Sequence, residues 1–138
     1  MPEFGLSKKN RIRLQKDFER IKERGKRFRT EHFLVNYLIK DEQTIRLAAV
    51  VSSKIKKAVK RNRAKRLIRE FFRLNRKKIK ALFSSALARD SFGIDIIFVA
   101  YPGAEELKYQ EVEKELWKGF EKEAERLKDA EEAGSGCN

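Results

Sequence analysis

Residues 54–80 read KIKKAVKRNRAKRLIREFFRLNRKKIK and hold 14 lysines and arginines against one acid, Glu70. So dense a positive run repels itself unless a polyanion lies close. It is nonetheless patterned as a helix. At about 100° per residue from Arg61, Lys65 and Arg69 fall near 40° and 80°, and Asn62, Arg73 and Arg66 near 100°, 120° and 140°. Ala64, Leu67, Ile68 and Phe71 fill the arc from about 240° to 340°, and Phe72, near 20°, is the one apolar residue inside the basic arc. One side of this helix can dock on a sheet. The other is a comb of guanidinium and ammonium groups around one amide. Arginine forks onto phosphate oxygens, lysine supplies a mobile charge, and Asn62 both donates and accepts.

Strands flank the helix on both sides. Upstream, residues 45–53 contain the apolar run Leu47-Ala48-Ala49-Val50-Val51, followed by Ser52, Ser53 and a loop, 54–57. Downstream, residues 84–91 read as a linker with partial helical character. FGIDIIFVA within 92–101 then gives the strongest strand signal, suited to a central strand buried on both faces, and Pro102-Gly103 ends it. The helical pattern runs on through Ile79, Leu82 and Phe83, as one helix or as two joined near Asn75.

Further out, residues 13–24 read as a first helix through Leu14, Phe18 and Ile21, stopped by Gly25. Residues 26–40 read as one strand, with Phe33, Val35 and Tyr37 alternating against Leu34, Asn36 and Leu38. The polar stretch 41–44 then suits a hairpin to the next strand. A last helix starts near Leu107 or Tyr109 and carries a core stripe of Val112, Leu116, Phe120, Ala124 and Leu127. Trp117 beside it reads as a packing anchor. Residues 1–12 read as an extended basic arm. The order helix, strand, strand, long helix, strand, helix predicts an α+β fold on a mostly antiparallel sheet, with the strands around the long helix as parallel neighbours. One domain, 1–132, and a flexible tail, 133–138, are expected.

Composition bounds the function. The chain has 138 residues, a net charge of +13 and ten phenylalanines to build a compact core. Nucleic acid is the first partner to consider, and an anionic membrane surface the rival. Between residues 105 and 132 there are 11 acids and 6 bases, so the positive excess lies earlier in the chain. No apolar run is long enough to span a bilayer and the first residues do not resemble a signal peptide, so a cytoplasmic protein is expected. Cys137 is the only cysteine and has no partner for an internal disulfide. His32, the only histidine, has no nucleophile pattern beside it and reads as a strand residue. No carboxylate pair, metal-ligand cluster or phosphate loop stands out, so no catalytic or metal-binding residue is assigned.

The signature A-x-x-R-N-x-x-K-R-x-x-R, here Ala58, Arg61, Asn62, Lys65, Arg66 and Arg69, with Glu70 following, resembles the "RNR" signature of the bacterial ribonuclease P protein component. The order of elements is similar from about residue 9 to residue 127. The resemblance implies a fold like the second domain of ribosomal protein S5, with order α-β-β-α-β-α, a short extra strand allowed, and a left-handed β-α-β crossover. It also implies a subunit that joins a catalytic RNA, which itself holds the Mg²⁺ ions and cuts the 5′ leader from precursor tRNA. On this pattern Lys54, Lys56, Lys57, Lys60, Arg61, Asn62, Lys65, Arg66, Arg69 and Arg73 bind RNA. Arg11 and Arg13 act from the arm, and Phe18, Lys22 and Asn36 line the leader cleft. One protein per RNA is expected.

The family's loop commonly reads Lys-Ile-Gly-Asn-Ala-Val, whereas here it is Lys54-Ile55-Lys56-Lys57-Ala58-Val59. Lys22 and Asn36 stand where the family has further cleft aromatics, so less stacking and more electrostatics are expected. A ribosomal or chaperone-like RNA binder is a second reading. A helix-turn-helix DNA regulator is a third, disfavoured by the long strands around the basic helix.

Overall fold

A computed structural model describes the backbone of residues 8–136 and the side chains of residues 9–130. Helix α1 spans Gln15–Arg24, α2 Ala58–Leu87 and α3 Tyr109–Gly136. Strands β1 (Lys26–Arg29), β2 (Phe33–Lys40), β3 (Ile45–Val51) and β4 (Gly93–Ala100) form one sheet in the order β1-β2-β4-β3. The pairs β1–β2 and β2–β4 are antiparallel, and β3–β4 is parallel across the α2 crossover. The α+β fold, with its one parallel pair, is the arrangement expected from the chain's patterning.

Alternation divides the sheet into two faces. Phe33, Val35, Tyr37, Leu47, Ile94, Ile96, Phe98 and Ala100 meet α2 and α3 in the main core. Phe71 and Phe120 stack at 6.1 Å, and Phe98 meets both edge-on. On the opposite face a smaller cluster of Ile12, Ile21, Ala48 and Ile97 seats α1, with Phe18, Leu38 and Val99 half-buried around it. The α2 stripe is wider than the wheel suggested, because Phe72 is fully buried edge-on to Phe98 rather than lying within the basic arc.

Five local expectations are corrected. The stretch 26–40 is two strands, split at residues 30–32. There Glu115 of α3 accepts hydrogen bonds from the Thr30 hydroxyl (2.6 Å), the His32 backbone N–H (2.7 Å) and the His32 ring (2.8 Å). Burial alone would raise the Glu115 pKa; these donors outweigh it and hold the carboxyl below its ordinary range.

The segment 41–44 is not a hairpin, because β4 lies between β2 and β3. Buried along nearly its whole length, β4 takes the interior position, and the connection crosses its start. A Cβ on Gly93 would lie 1.9 Å from the Glu42 carbonyl oxygen, so only glycine lets the backbones pass. The described part of the arm is docked, not free. The Ile12 N–H donates to the Leu47 carbonyl at 2.9 Å, and Arg11 bridges to the outer edge of β3; residues 1–7 lie outside the described residues. Residues 133–136 continue α3 where a tail was expected, while Cys137 and Asn138 lie outside the described residues. Of the two readings open for α2 the structure has the single helix, and it takes in half of the expected linker, residues 84–87.

One acid in the central strand organises the α1 face. Asp95 is fully buried and receives Arg46 in a fork, at 2.9 and 2.7 Å, and the Lys40 ammonium at 2.8 Å. Arg46 also reaches Asp17 on α1 at 3.5 Å. Burial would raise the Asp95 pKa, but the bonds from Arg46 and Lys40 hold it below the ordinary carboxylate range. A folded-state pKa below the unfolded one adds stability above the unfolded value, about 3.9, and that stability fades as pH falls through the folded value. Asp95→Asn should therefore cost about 3–5 kcal/mol in urea denaturation at neutral pH, and much less below pH ~3. Ala88, which ends α2 with a φ of 55°, should gain about 1 kcal/mol in the same measurement when changed to glycine.

Candidate nucleic-acid interface

The candidate interface lies on the first half of α2. Lys57 precedes the helix in extended conformation with no side-chain cap, and no acid lies in the first turn. The free N–H groups there face solvent together with Lys56, Lys57 and Lys60, all exposed. That is a favourable setting for anions. Along the next two turns Asn62, Arg66 and Arg69 are exposed and Lys65 is half-buried, opposite the packed Ala64, Leu67, Ile68 and Phe71. Among the described residues Lys65, Arg66 and Arg69 have no carboxylate partner. Burial first, and then the neighbouring Arg11, lowers the Arg69 pKa from its ordinary value. The arm thus brings a second cation against the comb instead of an acid to neutralise it.

Other members of the basic run hold structure. The Arg61 guanidinium donates to the carbonyls of Ile55 (3.1 Å) and Lys56 (2.5 Å), bracing the loop at 54–57 from the helix. Arg63 donates to the carbonyls of Glu105 (2.6 Å) and Leu107 (2.9 Å), pinning α2 to the 3-10 turn Ala104–Glu106. Arg73 is forked by Glu70 at 3.0 and 2.8 Å, which raises its pKa. Among the described residues it is the one expected RNA-binding residue matched by an acid.

The expected cleft residues lie on the α1 face. Phe18 is half-buried against the cluster that contains Ile97; Asn36, in register with Ile97, is 8% exposed; Lys22, one turn after Phe18, is exposed. Phe18 and Asn36 thus border the same patch, and a mostly buried amide offers little surface for stacking. Arg11 and Arg13 are both exposed. The sequence reading missed three further features: the Arg46–Asp95–Lys40 network, the Arg63 pin, and Arg29 lying over the Tyr101 ring at 4.5 Å. A lone aspartate inside FGIDIIFVA was the available signal for the first. The other two depend on long-range pairing. No helix among the described residues is long and apolar enough to cross a membrane.

A family model described as Ribonuclease P matches residues 6–124. The chain is similar to the ribonuclease P protein component of Syntrophobacter fumaroxidans, 43% identical over 106 residues, covering 77% of this chain and 81% of that one. The component of Syntrophus aciditrophicus is 40% identical over 116 residues, covering 84% and 88%. Among solved structures, an RNase P protein from Staphylococcus aureus superposes with a TM-score of 0.63 at 30% identity, covering 86% of this chain and 92% of that one. The protein from Thermotoga maritima does so with a TM-score of 0.61 at 29% identity, covering 81% and 96%.

The division between free and committed cations is measurable. Replacing Lys65, Arg66 and Arg69 together by alanine should flatten the plot of log affinity against log salt by about two units for single-stranded RNA, at about 0.7 per phosphate contact. Arg63→Ala should instead lower the melting temperature and leave that slope nearly unchanged.

Proposed function

Because the chain belongs to the ribonuclease P protein family, we propose that its α2 comb docks on the catalytic RNA of that ribonucleoprotein while the α1 face receives the 5′ leader of precursor tRNA. The observation that carries this reading is the pairing of an unneutralised cation ridge on α2 with a separate, partly open patch of Phe18, Leu38 and Val99 on the sheet. The chain is a subunit of the ribonucleoprotein that matures tRNA 5′ ends, an endoribonuclease whose chemistry resides in the RNA.

On this reading the protein supplies position and charge. Lys65, Arg66 and Arg69 neutralise phosphates where two RNA chains approach each other, which otherwise costs Coulomb energy. Arg61 keeps the loop at 54–57 in place, and with it the exposed Lys54, Lys56 and Lys57. Phe18 stacks one leader base, a contact that tolerates variable sequence. Lys22 adds a phosphate contact, and Asn36 offers its amide to a base edge. Mg²⁺ is held mainly by the RNA; screening by the protein lowers the Mg²⁺ concentration needed. One protein joins one RNA, in the cytoplasm.

Reconstitution with a bacterial ribonuclease P RNA tests the reading. The protein should stimulate precursor tRNA cleavage at low Mg²⁺, and the absence of stimulation would contradict it. Phe18→Ala should weaken binding of leader-bearing precursor by about 5- to 150-fold, corresponding to about 1–3 kcal/mol for one stacked base. Mature tRNA should bind equally well to both proteins. Equal losses for the two ligands would assign Phe18 to packing.

A further inference from the structure

We propose that the groove between α2 and α3 is a binding site for a guanine nucleotide, apart from both the α2 comb and the α1 face. The groove holds about 470 Å³, and Asn75 of α2 lines it together with Glu113 and Trp117 of α3. That volume lies in the range of small-molecule sites. None of the lining residues belongs to the comb or to the patch around Phe18.

Asn75 carries the inference. It sits in the buried stripe of α2 and is 3% exposed. Three acceptors surround its Nδ2: the Phe71 carbonyl at 3.0 Å, Glu113 Oε2 at 3.1 Å and the Tyr109 hydroxyl oxygen at 3.3 Å. A carbonyl and a carboxylate only accept, so the amide cannot be turned the other way. Among the described residues no donor reaches its Oδ1. A buried acceptor left unmet costs free energy, so an occupant that brings an N–H gains by supplying it.

Glu113 adds a second acceptor. Its Oε2 takes the Asn75 amide and the Tyr109 hydroxyl, the latter at 3.0 Å. Burial first, and then this bond, raises the Tyr109 pKa, so the hydroxyl keeps the proton it donates. Glu113 Oε1 receives no hydrogen bond among the described residues. Beside these oxygens lies Trp117, half-buried and packed against the main core.

An occupant that satisfies this wall is flat and carries adjacent N–H donors. The Watson–Crick edge of guanine places N1–H beside the N2 amine. Adenine and cytosine offer one amine next to a ring acceptor, and uracil one N–H between two carbonyls. The base would stack on the indole. At the rim Lys78, Lys114 and Lys118, all exposed, outnumber Glu121 and suit a phosphate. The same lysines disfavour a cation such as a partner's arginine, which would otherwise match the carboxylate and the indole. Guanine could come from a free nucleotide or from an unpaired guanosine of RNA.

The test uses the full chain and the fluorescence of Trp117, its only tryptophan. GMP should quench it saturably and bind about 5- to 150-fold more tightly than UMP, the discrimination of one good bidentate contact. Inorganic phosphate should leave the fluorescence unchanged. Glu113→Gln, which exchanges one acceptor oxygen for a donor, should remove the preference for GMP over UMP without a large change in melting temperature. If that variant does not fold, Lys78→Ala combined with Lys114→Ala, both at exposed positions, takes its place: GMP should bind more weakly and guanosine as before. A single-stranded RNA with one guanosine among uridines separates the sources. Quench by this RNA as well as by GMP assigns the site to an RNA guanosine, and quench by GMP alone assigns it to the free nucleotide. Equal quench by GMP and UMP, or quench by neither, would overturn the proposal. So would quench by agmatine without quench by GMP, which would give the groove to a guanidinium instead.

Discussion

Helix α2 must hold many like charges in register, and the burial of its apolar stripe is what makes that tolerable. Its first six turns contain about ten like-charge neighbours at i,i+3 or i,i+4, each costing about 0.2–0.5 kcal/mol, a few kcal/mol in all. Against this, Leu67, Ile68, Phe71, Phe72, Ile79 and Phe83 are buried to 8% exposure or less. At about 1.5–3 kcal/mol each, their burial contributes on the order of 10 kcal/mol. The core therefore wins, and the repulsion remains as an unrelieved field on the solvent side. An RNA that settles there relieves it.

The same molecule treats other charges in the opposite way. Under α1, Asp95 and Asp17 pair with Arg46, Lys40 and Arg20 at hydrogen-bonding or ion-pair distance, so these cations are held against acids. On α3, Glu115 clamps the β1–β2 turn, and Tyr37 donates its hydroxyl to the buried Glu123. Acids are thus placed where the fold needs an anchor. They are withheld from the face of Lys65, Arg66 and Arg69, which would lose its attraction for phosphate if a carboxylate lay beside it.

Much of this was legible from the chain. The wheel of residues 54–80 located both the buried stripe and the exposed cations, because a 3.6-residue period depends only on local geometry. FGIDIIFVA announced the central strand for a similar reason. The failures are non-local. The connection at 41–44 looked like a hairpin because nothing in its residues reveals that β4 inserts between β2 and β3; only the backbone approach at Gly93 does. Phe72 seemed misplaced because a wheel drawn for one docking surface ignores that α2 packs on both sheet and α3. Arg61 looked equivalent to Arg66, and Arg63 was counted in the basic run without a role; the carbonyls that claim them come from a preceding loop and from a turn more than 40 residues away. Charge counts cannot separate a cation that braces from one that waits.

The central claim concerns which side of α2 meets RNA, and proximity measures it directly. With Cys137 changed to serine, a single cysteine is placed at position 66 on the exposed comb, or at position 128 on α3, and carries a short photo-crosslinker in the reconstituted complex. The account predicts efficient cross-links to the catalytic RNA from position 66 and few or none from position 128. Efficient cross-links from 128 with none from 66 would show that the RNA lies against the acidic helix instead, and would contradict it.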